Sequence, residues 1–357
     1  MTRNTADRKT SIRARITARG RVQGVGFRPT VYRAVTARGC GGSVRNTARG
    51  VQVEIEGPPG VVRDLVRNFR NIVPERARVD ELHTEELEPT GQEEFRIEDS
   101  SSGGPSFLPI PPDMATCPDC REELGDEDSR RAGYPFNTCA ACGPRFSIAR
   151  TVPFDRENSA MDDFPLCGDC AEEFESPSDR RFHAQTMSCP NCGPVLSLRD
   201  ADGRELEHPL DRCREMLAEG RIVAVKGLGG YHLACDATRD GPGRELRRRK
   251  GRPHKPFAVM ARSEEACRGI WTVSATEAEV LLSEQAPIVL LQPEPDAPLS
   301  GLVAPGLDRT GVMLPYTPLH SMLFDDPDVP PALVMTSCNR SREPIAVSRE
   351  QVLGELD

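Results

Sequence analysis

Cys117-Pro-Asp-Cys120, Cys139-Ala-Ala-Cys142, Cys167-Gly-Asp-Cys170 and Cys189-Pro-Asn-Cys192 are two copies of one pattern, C-x2-C-x18-C-x2-C, set fifty residues apart. The repetition goes beyond cysteine. Arg121-Glu-Glu-Leu124 answers Ala171-Glu-Glu-Phe174, Arg130-Arg131 answers Arg180-Arg181, and each copy closes on Cys-Gly-Pro. A C-x2-C turn aims two thiolates at one point, and a second turn completes the sulfur tetrahedron that Zn²⁺ prefers. Two structural zinc ions are therefore expected, held by Cys117, Cys120, Cys139, Cys142, Cys167, Cys170, Cys189 and Cys192. The set is closed, so no catalytic role is expected of the metal. An iron–sulfur cluster is the secondary reading, and interleaved pairing across the copies satisfies the same count. Disulfides are disfavoured because residues 1–16 are basic and polar, without the apolar core of a secretory signal.

At 357 residues the chain has room for two or three domains. Its net charge of −9 works against nonspecific nucleic-acid binding, and no apolar run is long enough to cross a bilayer. A cytoplasmic protein with neither membrane nor nucleic-acid partner is expected. Basic residues are nearly all arginine, with lysine only at 9, 226, 250 and 255.

Upstream of the cysteines, alternation in Ile12-Arg-Ala-Arg-Ile16 predicts a strand. Gly20-Arg-Val-Gln-Gly-Val-Gly-Phe-Arg28 then turns into a helix expected to start at Pro29. Such a turn builds a phosphate cradle: glycines let consecutive N–H groups face one anion, the helix start adds positive potential, and Arg28 offers a planar fork. Strands at 42–46 and 51–57, a helix at about 60–70, and strands near 77–87 and 95–97 complete a ferredoxin-like βαββαβ order.

These residues resemble the acylphosphatase family, whose signature stands here as Val-Gln-Gly-Val-Gly-Phe-Arg at 22–28 and whose second motif stands as Val-Arg-Asn-Thr-Ala-Arg-Gly at 44–50. The resemblance covers about the first ninety residues. It implies that Arg28 binds phosphate and that Asn46 orients the attacking water. Ala18 and Ser43 depart from the usual larger aliphatic and aromatic residues, changing packing without removing a working group. The plainer alternative is a ferredoxin-like domain that binds an anion without turnover.

A polar, breaker-rich linker is expected at 99–112, with few contacts, separating an acylphosphatase-like domain at 1–98 from a tandem zinc-finger region at 113–200. Asp113-Met-Ala-Thr-Cys117, Tyr134-Pro-Phe-Asn-Thr-Cys139 and Arg181-Phe-His-Ala-Gln185, with the preceding module, resemble the carbamoyltransferases of nickel–iron hydrogenase maturation, the HypF family. His183 is read as a spare zinc ligand, a group facing the nucleotide site or, as the favoured alternative, an orienting histidine.

The rest, 205–357, has an α/β rhythm with a sheet of mixed or parallel strands. A helix is expected near 209–219, with strands at 221–226, 257–260, 288–291 and 333–335. Helices are expected at 243–250 and 276–284, the latter opened by the Ser274/Glu277 capping box. Lys250-Gly-Arg252-Pro-His-Lys255, Thr336-Ser-Cys-Asn339 and the glycine-rich turn after Lys226 resemble YrdC-like nucleotide-binding domains. The resemblance implies that Lys250, Arg252, Ser337 and Asn339 meet on the phosphates of ATP. Lys226 and Lys255 join them as candidates, since three of the four lysines stand here. Arg247-Arg-Arg249 taken alone reads as a solvated helix face.

The family resemblance implies a relay. Carbamoyl phosphate is hydrolysed, the carbamate is passed on under enclosure, and ATP with Mg²⁺ converts it to carbamoyl adenylate for transfer to a cysteine of the partner HypE. The chain ends at Asp357 within the expected YrdC-like domain, so a fragment, a truncated gene product or one piece of a split protein is expected, without the final transfer domain. The rivals are a zinc-containing YrdC-like tRNA-modifying or RNA-binding protein and an inactive scaffold.

Overall fold

Alternating burial of Ala14, Ile16 and Ala18 makes Ile12–Arg21 the strand β1, longer at its C-terminal end than the sequence pattern suggested. It belongs to a computed structural model that describes residues 11–101, 110–340 and 343–355. Lys9 and linker residues 102–109 lie outside these. Helix α1 (Phe27–Thr36) follows, then β2 (Gly41–Thr47), β3 (Gly50–Gly57), α2 (Pro59–Arg67), α3 (Phe69–Ile72), β4 (Arg78–Leu87) and β5 (Phe95–Ile97). The sheet order is β4-β1-β3-β2-β5, the ferredoxin-like arrangement with β5 added parallel to β2. Ile16, Val53 and Ile55 meet Val31, Val35, Leu65 and Phe69 in its core. Helix α1 starts at Phe27 and not at Pro29, because Gly26 at φ 78 already turns the chain and the first helical N–H groups need no intrahelical acceptor.

Each cysteine copy begins the same way. Cys117 caps α4 (Pro118–Gly125), and Cys167 caps α5 (Gly168–Glu175). Both helices place their second cysteine, Cys120 or Cys170, fully inside.

The described residues divide into two compact units, one within 1–113 and 138–193, the other within 114–137 and 194–357. Beyond α4, the second unit continues with the hairpin β6 (Leu198–Arg199) and β7 (Glu205–Leu206), then α6 (Pro209–Ala218), β8 (Val223–Lys226) and β9 (Tyr231–Asp236). There follow α7 (Asp240–Lys250), β10 (Ala258–Ala261), α8 (Glu264–Arg268), β11 (Trp271–Thr272), α9 (Ala275–Leu281) and β12 (Val289–Pro293). The chain continues through β13 (Thr310–Met313), α10 (Pro318–Leu323), β14 (Ala332–Ser337) and α11 (Arg349–Glu355). The seven strands run β11-β12-β13-β10-β14-β9-β8, mixed in direction, with β10 and β13 the parallel pair. Leu233, Phe257, Val259, Trp271 and Val334 fill one face, and Leu217, Met260, Leu323 and Met335 the other. The Ser274/Glu277 capping box forms as expected.

Candidate active sites and metal centres

The four sulfurs of Cys117, Cys120, Cys139 and Cys142 lie within 4.8 Å of one another, as do those of Cys167, Cys170, Cys189 and Cys192. Each copy thus gathers its own set, which answers the pairing question. In the second set the Cys167–Cys189, Cys189–Cys192 and Cys170–Cys192 separations are 3.7, 3.8 and 3.6 Å. A sulfur tetrahedron around zinc with bonds of about 2.3 Å has edges of about 3.8 Å, so the donor set fits structural zinc. A hydrogen bond from the Cys170 N–H leads the effects that draw the Cys167 thiol down to about 7, towards the thiolate a metal needs.

The phosphate-cradle turn folds as its glycines require. Gly24 and Gly26 take φ of 66° and 78°, and a Cβ on Gly24 would meet Pro111 at 2.8 Å and the Phe154 ring at 3.1 Å. The N–H groups of Gly24, Val25, Gly26, Phe27 and Arg28 have no acceptor among the described residues. Gly24, Gly26, Phe27 and Arg28 line one small cavity together with Asn46, Arg145, Phe154 and His183. Asn46 is 1% exposed and its Oδ1 has no partner; a buried amide oxygen in that state is poised to accept from a water or a substrate group.

The other wall comes from the stretch between the two cysteine sets, which sequence reasoning missed. The Phe154 N–H donates to Gln23 Oε1 at 3.0 Å, and the Phe154 carbonyl accepts from Asn46 Nδ2 at 3.5 Å. Arg28 Nη2 donates to Asp155 Oδ1 at 2.6 Å, with both side chains nearly buried, at 11% and 13% exposure. Arg28 therefore faces a carboxylate as well as the cavity. Arg145, whose guanidinium is pushed below its usual range by burial, holds the turn by donating to the Gly24 carbonyl at 2.6 Å. The linker expectation also changes at its start: the Ser101 N–H donates to the Asn46 carbonyl at 3.0 Å, and the Ser100 hydroxyl donates to Asp155.

His183 belongs to neither four-cysteine set, each of which is completed by cysteine alone. It lines the Arg28 cavity. Burial first, and Arg28 second, lower its pKa to about 4, so the imidazole is neutral.

In the second unit the turn after β14 meets the end of α7. Lys250 Nζ donates to the Ser337 carbonyl at 2.6 Å, the Asn339 carbonyl at 2.7 Å and Asn339 Oδ1 at 3.2 Å. Ser337 Oγ donates to Asn339 Oδ1 at 2.8 Å, and Arg252 approaches Thr336 Oγ1 at 3.5 Å. Lys250, Arg252, Ser337 and Asn339 are thus brought together. Lys250 is only 4% exposed and its ammonium is occupied by the 337–339 turn, so it acts as a staple. Lys226 instead lies over the Tyr231 ring at 5.5 Å, and the Lys255 side chain has no described partner. Arg247 corrects the charge-run reading: it is buried and donates to the carbonyls of Leu302, Arg252, Pro253 and Lys255. Only Arg248 and Arg249 sit outside, on Glu245. The missed signal was helical spacing, which puts Gly243, Leu246, Arg247 and Lys250 on one buried face.

Comparison with known proteins follows the same divisions. The acylphosphatase family model matches residues 14–97, the HypF finger model 116–149 and 166–199, and the model described as "Telomere recombination" (Sua5, YciO, YrdC) 215–357. The chain is 48% identical over 343 residues to the carbamoyltransferase HypF of Rhizobium leguminosarum bv. viciae, covering 95% of this chain and 43% of that protein. It is 42% identical to the probable carbamoyltransferase HypF of Methanocaldococcus jannaschii, covering 97% and 45%. A crystal structure of full-length HypF in a phosphate- and nucleotide-bound form matches with a TM-score of 0.91 at 40% identity, over 97% of this chain and 45% of that one. The chain therefore spans a little under half the length of these relatives. No helix among the described residues is long and apolar enough to cross a membrane.

Proposed function

The chain belongs to the HypF carbamoyltransferase family, and on that premise we propose that its first site hydrolyses carbamoyl phosphate and its second joins the carbamate to ATP. The observation that carries the first step is the run of unpartnered N–H groups from Gly24 to Arg28 beside the buried, unsatisfied oxygen of Asn46. The cradle and the free part of the Arg28 fork take the phosphoryl oxygens, where they meet charge that grows in the transition state. Asn46 orients water. The water oxygen bonds to phosphorus, the bond from phosphorus to the carbamoyl oxygen breaks, and carbamate leaves with those electrons. The known relative's phosphate- and nucleotide-bound state supports a site of each kind.

In the second module, Lys250 holds the Ser337–Asn339 turn while Arg252, Lys255 and Lys226 supply positive charge to the triphosphate of ATP with its Mg²⁺. Attack of a carbamate oxygen on the α-phosphorus expels pyrophosphate and gives carbamoyl adenylate. Transfer to a cysteine thiolate of a HypE partner, in the cytoplasm, is the step that follows in the family's reaction. We assign residues 1–98 to the acylphosphatase-like domain, 113–200 to the zinc-finger region and 205–357 to the YrdC-like domain.

The test is phosphate release from carbamoyl phosphate by the full chain, with carbamate-dependent ATP–pyrophosphate exchange measured in parallel. Turnover in the first assay is expected, and its absence in zinc-loaded protein would leave an anion-binding domain without catalysis.

A further inference from the structure

The duplication offers an internal control on His183. Fifty residues earlier the equivalent position is Gly133, and the two backbones agree: φ is 61° at Gly133 and 54° at His183. The Gly133 N–H donates to the Leu124 carbonyl at 2.9 Å, and the His183 N–H donates to the equivalent Phe174 carbonyl, also at 2.9 Å. One copy thus uses glycine for a left-handed residue and the other holds a histidine there, in a region that L side chains adopt only at a cost. A strained conformation kept in one copy and avoided in the other points to the side chain.

That side chain faces the cavity of Arg28 and Asn46. Its ring packs on Phe174 and Phe182, with centroids 4.9 and 4.7 Å away. Neither ring nitrogen has a hydrogen-bond partner among the described residues. The other polar groups of the site already have roles or geometry suited to the phosphoryl end. The N–H cradle and Arg28 are cationic or donor-only, so they suit an anion and cannot accept a hydrogen bond. A neutral imidazole differs from them in offering one donor and one acceptor. A carbamoyl group presents the matching pair, a carbonyl oxygen and an N–H, whereas an acetyl group presents only the oxygen.

We propose that His183 is a specificity-determining residue of the acyl-phosphate site, binding the carbamoyl end of the substrate while Arg28 and the glycine turn bind the phosphoryl end. This rests on reading the cavity as that site. Burial beside Arg28 keeps the ring uncharged, and an imidazolium there would be repelled by the guanidinium and could no longer accept from the amide.

His183→Gly is the informative variant, because the sister position shows that glycine suits this backbone. His183→Asn is its complement, since Asn tolerates the left-handed region and restores one donor and one acceptor. Both would be made in the full chain, with zinc content and melting temperature checked. Phosphate release would be followed with carbamoyl phosphate and with acetyl phosphate, and inorganic phosphate used as a competitive inhibitor. His183→Gly is expected to lower kcat/KM for carbamoyl phosphate by roughly tenfold or more, to lower that for acetyl phosphate distinctly less, and to leave the phosphate inhibition constant within about twofold. His183→Asn should recover most of the loss. Equal losses on both substrates, no loss on either, or a parallel loss of phosphate inhibition would overturn the assignment and make His183 a packing residue. If the unaltered chain neither turns over an acyl phosphate nor binds inorganic phosphate, the reading of the cavity itself fails, a result distinct from any His183 outcome.

Discussion

Asp155 poses a question of sign, because its carboxylate both holds Arg28 and repels any anion that Arg28 binds. Asp155→Asn separates the two. The amide oxygen can still accept from Arg28 Nη2, now 2.6 Å from the carboxylate, while the negative charge is gone. An anion on the opposite edge of the guanidinium would lie roughly 6 Å from that carboxylate, where unit charges repel by about 3 kcal/mol at an effective dielectric near 20. Exposures of 11% and 13% leave some screening. If half of the repulsion survives, its removal strengthens phosphate binding by about 1.4 kcal/mol, a factor of about ten. The folded state should lose about 1 kcal/mol, since a charge-assisted bond becomes a neutral one. Calorimetric titration of the zinc-loaded full chain with inorganic phosphate at fixed ionic strength measures the first effect and urea denaturation the second. Phosphate affinity unchanged or weakened in Asp155→Asn, with the fold intact, would refute the argument and show that the charge itself is needed to aim Arg28.

Arg28→Lys keeps the charge but loses the fork, and should lower kcat/KM for carbamoyl phosphate by about a hundredfold; steady-state phosphate release checks it, and near-native turnover would remove Arg28 from the site. Cys170→Ser should leave one zinc per chain instead of two, read by metal analysis, because a structural zinc site with three thiolates loses much of its binding energy. Lys250→Ala strips three hydrogen bonds from the 337–339 turn and leaves buried carbonyls unsatisfied, so a loss of about 3 kcal/mol in urea denaturation is expected together with loss of pyrophosphate exchange. His320 and His183 are held neutral, at about 3 and about 4 against an ordinary 6.5, His320 mainly by burial and then by His232. The unfolded chain therefore binds more protons below pH 6.5, and stability should fall as pH drops from there towards 3; His320→Gln should flatten that fall in urea midpoints measured against pH.

Local patterns carried the elements well where the signal was local. Glycine placement announced the turn before α1, the Ser274/Glu277 capping box opened α9, and β-branched runs located most strands. Strand β9 was masked because it begins inside the glycine-rich word Gly227–Leu233, whose first residues belong to a turn, and because its burial depends on neighbours β8 and β14. Arg247 was misread for a related reason. A run of three arginines looks solvated until the helix period is applied to it, and the carbonyls that receive its guanidinium come from 252–255 and 302, beyond any local window.

The least legible part was the far wall of the Arg28 site. Nothing in Pro153-Phe-Asp155 marks it as a partner of residues 23, 28 and 46; the distance of more than a hundred residues between Asp155 and Arg28 is bridged by folding alone. The duplication explains why a functional group could arise there unnoticed. Two copies share the metal geometry and the turn between their two C-x2-C pairs, so those features must satisfy zinc and backbone in both. A position freed from that duty in one copy only, such as 183 against Gly133, changes without harm to the metal site. The comparison of copies therefore separates what the fold demands from what the site demands, and it does so within a single chain. By that criterion the αL glycine is the structural solution and the histidine is the departure that needs a chemical reason, which its place beside Arg28 and Asn46 supplies.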